Sequence, residues 1–352
     1  MSNESKKPSS GKQSPTSDEN GETCFDMKTA GFGLVQKRRP HELRDFVTPE
    51  DDLFRVWHLG IPDLDPSRWT LRIEGLVERP QSLSLAELRQ FAADTVMTFH
   101  ECAGNPLSPL IPQRRIGNVV WGGVRLTELL HHAGVRNEAS FVISRGADHG
   151  TYGGTHHQVY EKDLPISKAL ENSVLVALTL NGEPISVERG GPVRLVVPGF
   201  YGTNSTKWLT KLLVSGERSK GAFTTRYYMD REVVGGEVHE TPVWAVAPNS
   251  IIVEPANGQV VANREFEVWG WSWSAFPIVK VEVSTNGGES WETADVQPRS
   301  AYEWQRFRFN WRPKSVGEYI LVARAADSNG GIQPLTLCRN QVFRAIVFVQ
   351  AE

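Results

Sequence analysis

Residues 96–107 read VMTFHECAGNPL, an apolar run that passes into a turn at Ala103, Gly104 and Asn105. The front half has the β-branched and aromatic content of a strand, and small turn-forming residues end it. Cys102 therefore sits at a strand end, where backbone gives way to loop and where ligands are often held. His100 stands two positions earlier, so on a strand its side chain shares a face with Cys102.

Outward from this stretch, residues 82–91 (SLSLAELRQF) predict a short helix. Ser84 caps it, Glu87 completes a capping box, and Leu85, Leu88 and Phe91 fall on one face. Residues 124–135 predict a second helix that stops at Gly134, and residues 69–77 (WTLRIEGLV) alternate at period two as a strand. Further strands are expected at 173–180 and 193–200, the second running into a loop with Gly202, Asn204, Ser205, Thr206 and Lys207. A mixed α+β domain over residues 41–240 results.

From 241 to 352 the character changes: FEVWGWSW, VKVEVSTNGGESWETADV, WQRFRFNW, GEYILVARAADSNG and VFRAIVFV alternate and are separated by turn signals. They predict an immunoglobulin-like β-sandwich. Trp269, Trp271, Trp273, Trp291 and Trp311 are expected in its core or at an interface, and Phe276, Trp304 and Phe307 are candidates for a contact surface between two copies. Residues 1–22 hold few large apolar side chains, and a disordered tail is expected over residues 1–40.

The chain has 352 residues, 39% apolar and 22% charged, which suits two globular domains and a tail. A formal net charge of -3 provides no basic field for nucleic acid. No run reaches the roughly 18 apolar residues of a membrane helix, and neither a secretory h-region nor a twin-arginine motif is present, so a cytoplasmic protein without membrane contact is expected. Cys24, Cys102 and Cys338 form no CxxC pair and no CxxCH haem motif. A disulfide framework is not expected. His149, His156 and His157 in DHGTYGGTHH fit no zinc spacing; an active-site lid with His157 as proton carrier and an exposed loop are both open.

HECAGNPL, NVVWGGVRLTELL, the segment 146–165, NGEPISVERGGPVRLVVPG and TKWL resemble, in order and spacing, the molybdenum domain of the sulfite oxidase family. The C-terminal segments VKVEVSTNGGESW and YILVARAADSNG resemble that family's dimerisation domain, and the likeness covers residues 53–349. It implies Mo-molybdopterin (the molybdenum cofactor) and a homodimer. It also implies oxygen-atom transfer at a Cys-ligated oxo-molybdenum centre on a small oxo-anion or S- or N-oxide; because the chain shows no haem-binding motif and no flavin or nicotinamide fingerprint, no haem and a separate electron carrier are expected. Cys102 takes the place of the metal-ligating cysteine, and Tyr160 that of the tyrosine near the reacting oxo group. His58, Asp148, Arg194, Ser205, Thr206 and Lys207 match residues that hold the pterin and its phosphate, and Phe54, Arg55, Val56 and Trp57 align with a further pterin-contacting stretch. Arg189 replaces a histidine of that pocket.

Physical sense supports the same region, because a pterin tail ending in phosphate calls for fixed cations and backbone N–H groups such as Arg194, Lys207 and its loop supply. The departures concern substrate: Val56, Pro106, Leu107 and Asn204 stand where the family carries arginines, which weighs against sulfite. Arg55, Arg114, Arg115, Arg145 and Lys162 are candidates to rebuild an anion site. Two other readings are open: a non-catalytic homodimeric binding protein with a decayed pterin site, and a hydrolase with Cys102 as nucleophile and His100 as base.

Overall fold

The structure, a computed structural model, describes residues 25–351 apart from 106, 109, 110, 337 and 338. Cys24, Pro106, Cys338 and the first 24 residues of the expected tail lie outside the described residues. The rest of that tail is a correction: Met27–Ala30 pairs with Gly60–Pro62, and Gly33–Val35 pairs with Arg55–Trp57. The cause is close packing on Trp57, whose ring lies so near Gly33 that a Cβ there would be 2.0 Å from it. The absence of a side chain at Gly33 thus lets an indole lie directly on backbone.

Two sheets build the first part of the chain. In one, Glu161–Pro165, Phe141–Gly146, Leu209–Ser215, Thr70–Gly75 and Gln81–Ser84 follow one another in space. In the other, Glu183–Pro184, Leu175–Leu180, Ile116–Arg125 and Ala93–Glu101 do so, with Arg194–Val196 also paired to Leu175–Leu180. Leu71, Ile73, Leu126, Leu130, Val176 and Leu212 fill the core beneath them. The two expected helices form. Leu85–Leu88 carries the Ser84–Glu87 capping box, and Leu126–Ala133 ends on Gly134 at φ 73°. Such short helices gain their stability from this packing rather than from their own hydrogen bonds.

The C-terminal part is a curled sheet of eight strands, consistent with an immunoglobulin-like domain. One strand joins its two halves: Glu292–Val296 pairs through residues 292–294 with Ile278–Ser284 and through residues 295–296 with Gln305–Trp311. The two layers expected of a sandwich are therefore continuous at this strand. The hairpin Met229–Val234 and Glu237–Pro242 spans the expected boundary at 240/241, and the eight-stranded sheet begins with Asn249–Glu254.

Four of the tryptophans lie where the two parts meet. Trp269, Trp271, Trp273 and Trp304 pack with Phe99, Ala103, Ile116 and Tyr201 of the first part, and the Trp271 and Trp304 rings stack at 4.7 Å. Trp304 and Phe307 are 1% and 0% exposed, which corrects the expectation that they form a contact surface between copies. Their large apolar rings are consumed inside one chain; Phe276 remains 42% exposed. Among the described residues no helix is long and apolar enough to cross a membrane.

Candidate functional site

Cys102 follows the strand Ala93–Glu101 directly. Its N–H donates to the Arg115 carbonyl at 3.0 Å, and its own carbonyl accepts from the Asn105 N–H at 3.0 Å, so the turn read from the sequence is hydrogen-bonded shut. The sulfur accepts a long hydrogen bond from the Gly104 N–H at 3.4 Å. Burial pushes the thiol pKa up, while Gly104 and the Arg115 guanidinium draw it down. The side chain faces a cleft of about 720 Å³, its open mouth included.

The far wall is cationic. Arg194 begins the strand Arg194–Val196 and is buried; its Nη1 and Nη2 donate to the Arg189 and Ser205 carbonyls at 2.8 and 3.0 Å. Its guanidinium lies 4.8 Å from the Trp121 ring centroid, and its Nε has no partner among the described residues. Burial, with a second push from Arg189, lowers its pKa to about 9. Lys207 donates to the Val56 carbonyl at 2.5 Å, and burial followed by the charge of Arg194 lowers its pKa to about 7. Gly190, at φ 99°, makes this approach possible: a Cβ there would be 2.6 Å from the Lys207 side chain. Arg189 lines the same wall but is tied to Glu50 at 2.7 Å and to the Leu53 carbonyl at 3.3 Å.

The remaining expected residues divide cleanly. Phe54, Arg55, Val56, Trp57, His58, Asp148, Tyr160 and Ser205 all line the cleft with Cys102, Arg189, Arg194 and Lys207. Thr206 does not line it: its hydroxyl bonds that of Ser144 at 2.7 Å behind the wall. Asp148 is buried, and that burial raises its pKa to about 7. Tyr160 donates to the Thr203 carbonyl at 2.7 Å, and burial pushes its phenol above the usual range. His58 bonds the Tyr228 hydroxyl at 2.6 Å and stacks on Tyr160 at 5.6 Å. Enclosure, then the charge of Lys207, lowers its pKa to about 3.

Most of the cations proposed to rebuild an anion site are committed elsewhere. Arg114 donates to the Ile111 carbonyl at 2.7 Å, Arg145 pairs with Glu161 at 2.8 Å, and Lys162 donates to the Phe223 carbonyl at 3.0 Å. Arg115 bonds Gln36 at 2.5 Å beside the sulfur. Of the replaced arginine positions, Val56 lines the cleft, Leu107 is exposed, and Asn204 is buried with its amide on the Tyr201 and Val243 carbonyls, both at 3.0 Å.

The histidine-rich loop is a hairpin, Gly150–Tyr152 with Thr155–His157. His149 turns back to the Phe25 carbonyl at 2.8 Å and His157 to the Tyr152 carbonyl at 3.2 Å, leaving no metal cluster among the described residues. The sequence reading missed Trp121, Thr203 and Tyr228 in the cleft. Thr203 had a local signal in its place in the loop before Lys207, and Trp121 in the motif NVVWGGVRLTELL; Tyr228 had none.

The donor set fits a molybdopterin. Among the described residues no three His, Cys, Asp or Glu side chains are placed to hold an ion, so a metal at the lone sulfur must arrive with most of its own ligands. Two residues that line the cleft carry a buried N–H group, Arg194 Nε and Trp121 Nε1, with no acceptor among the described residues. An acceptor-rich, anionic tail would satisfy them.

Residues 58–223 match the family described as the oxidoreductase molybdopterin binding domain, and residues 240–345 match the Mo-co oxidoreductase dimerisation domain. Sulfite oxidase of Gallus gallus is 31% identical over 323 residues, 82% of this chain and 68% of that protein. Mitochondrial sulfite oxidase of Homo sapiens is 30% identical, over 85% of this chain and 59% of its own length. The chain thus spans under two thirds of the mammalian relatives. The solved sulfane dehydrogenase SoxCD of Paracoccus pantotrophus superposes with a TM-score of 0.76 at 27% identity, covering 89% of this chain and 85% of that one.

The protonation state of His58 is open to test. Its folded pKa of about 3 lies below the unfolded value of 6.5, so the unfolded chain binds the proton first and stability falls as pH drops from 6.5 toward 3. In equilibrium unfolding, His58→Gln is expected to remove roughly 2 kcal/mol of that fall at pH 5. Parallel pH profiles for the two proteins would mean that the ring is not held neutral.

Proposed function

We propose oxygen-atom transfer as the activity of this site, on the premise that the chain belongs to the molybdenum-cofactor oxidoreductases, which join a molybdopterin-binding domain to a dimerisation domain, and is related to sulfite oxidase. The observation that carries the proposal is a thiol sharing one cleft with a buried Arg194 whose Nε lacks an acceptor. In this reading the Cys102 sulfur ligates molybdenum, while Arg194, Lys207, Arg189 and Ser205 bind the pterin and its phosphate, with the Trp121 N–H group beside them. The bound metal supplies two-electron chemistry in which water gives or takes the oxygen atom.

The chain's own groups then do the rest. Tyr160 keeps its proton, because burial raises its pKa, and its hydroxyl is aimed by the Thr203 carbonyl. The rings of His58, Tyr160 and Phe223 pack on one another at this end, with centroids 4.5 to 5.6 Å apart, and limit the water that reaches it. The imidazoles of His58 and His100 are both held neutral by burial. A raised thiol beside a neutral imidazole, with no hydrogen bond between them, does not favour the hydrolase reading.

Substrate class follows from where the charges lie. Arg189, Arg194 and Lys207 are occupied along the pterin wall, and Val56 supplies none where relatives carry a guanidinium. Within the class of sulfur and nitrogen oxo compounds, an uncharged S- or N-oxide suits this end better than sulfite. Electrons pass to or from a separate carrier, and the chain works as a homodimer through residues 240–345.

Expression in a host that makes the cofactor provides the test. Cys102→Ser is expected to lose most of the bound molybdenum measured per chain; equal metal in both proteins would remove the proposal. Tyr160→Phe is expected to keep its metal while turnover falls about 10²-fold. A matching loss of metal would make it a folding residue. Val56→Arg is expected to raise kcat/KM for sulfite relative to dimethyl sulfoxide by about tenfold, the worth of one charge-assisted hydrogen bond. An unchanged ratio would contradict the charge argument.

A further inference from the structure

Glu101 precedes Cys102 and points the other way, into the seam between the two parts of the chain. It is 0% exposed. One carboxylate oxygen accepts from Asn105 Nδ2 and Asn249 Nδ2, both at 2.9 Å, and the other from Trp273 Nε1 at 2.8 Å. Asn249 and Trp273 are directly opposite each other on adjacent strands of the C-terminal sheet. A cross-strand pair in one domain thus presents two N–H groups to a carboxylate that adjoins the sulfur of the other.

The same sheet domain reaches the turn again. Arg339 donates to the Ala103 carbonyl, and Gln341 Nε2 donates to the Leu107 carbonyl at 3.1 Å. Asn249 is itself held in place, its Oδ1 accepting from Gln333 Nε2 at 3.0 Å and from the Ser250 N–H at 2.8 Å. Within its own domain, and among the described residues, Glu101 has only the Asn105 amide. Asn105 also accepts the Arg115 N–H at 2.5 Å, and Arg115 lies beside the sulfur, so the clamp continues to the far side of the turn.

A fully enclosed carboxyl group whose partners are all donors tolerates little movement, because each lost N–H leaves a buried acceptor unsatisfied. We propose that Glu101 is a positioning residue for the Cys102 sulfur, held in place by the Asn249–Trp273 pair of the C-terminal sheet. The domain that matches a dimerisation family is therefore also part of the frame that aims the sulfur into the cleft. The functional meaning rests on Cys102 as metal ligand; the geometry of the clamp does not.

The test uses the full chain, first without cofactor. Alkylation of Cys102 by iodoacetamide is followed by peptide mass spectrometry in wild type, Trp273→Phe, Glu101→Gln and Trp311→Phe. Trp311 is buried in the same sheet and packs on Tyr319 at 5.0 Å, remote from the clamp. Both clamp variants are expected to react about tenfold faster than wild type, since losing a hydrogen bond to a charged group promotes local opening of the turn. Trp311→Phe is expected to react as wild type does.

In cofactor-loaded protein of equal metal content, the sulfur-to-molybdenum absorption band is expected to shift in the clamp variants alone. Glu101→Gln keeps the side-chain volume and so tests the clamp even where Trp273→Phe does not fold. Wild-type alkylation rates in the folded clamp variants, or an equal rise in Trp311→Phe, would overturn the positioning role. A wild-type chain that binds no molybdenum would overturn the oxidoreductase reading and leave the alkylation result standing.

Discussion

A guanidinium buried without a carboxylate is the constraint on which the rest of the site depends. Arg194 is 3% exposed, spends its Nη groups on two backbone carbonyls, and leaves Nε without an acceptor among the described residues. Removing such a charge from water costs several kcal/mol unless something nearby offsets it. Lys207 adds a second cation on the same wall, and among the described residues Asp148 is the only acidic side chain lining the cleft. An anionic ligand would offset that cost; burial is also what lowers the pKa values of both cations.

The sulfur completes the logic. A single thiol at a strand end cannot hold a metal ion alone, but it can bind one that a dithiolene-bearing pterin delivers, with the cations and the Trp121 N–H group holding that pterin's tail. The two ends of the cleft are then chemically unlike. One is cationic; the other is built from phenols, neutral imidazoles and Val56, with Arg115 beside the sulfur. Under the proposed function this division would separate cofactor binding from substrate choice, so that the one could be kept while the other departs from the relatives.

Much of this was legible in the sequence. The turn after Glu101, the capping box at Ser84, and the stop at Gly134 are local signals, and each fixes an element that positions the site. The cofactor-wall residues carried a resemblance in order and spacing, and all but Thr206 line the cleft. What pattern could not show is long-range. Tyr228 meets His58 across 170 positions of chain, and nothing in TTRYYMD announces it. Glu101 reads as the polar, outward residue of an alternating strand, yet its face is covered by Trp273 and Asn249 of the other domain. Residues 27–35 (MKTAGFGLV) follow a polar stretch and are too short and glycine-broken to show a period of their own, and they are ordered by pairing with strands that lie further along the chain.

X-ray absorption at the molybdenum edge tests the central claim most directly, on cofactor-loaded wild type and on whatever metal Cys102→Ser retains. The account predicts one more sulfur neighbour around molybdenum in wild type than in the variant. The same number of sulfur neighbours in both would mean that the Cys102 side chain is not bonded to the metal.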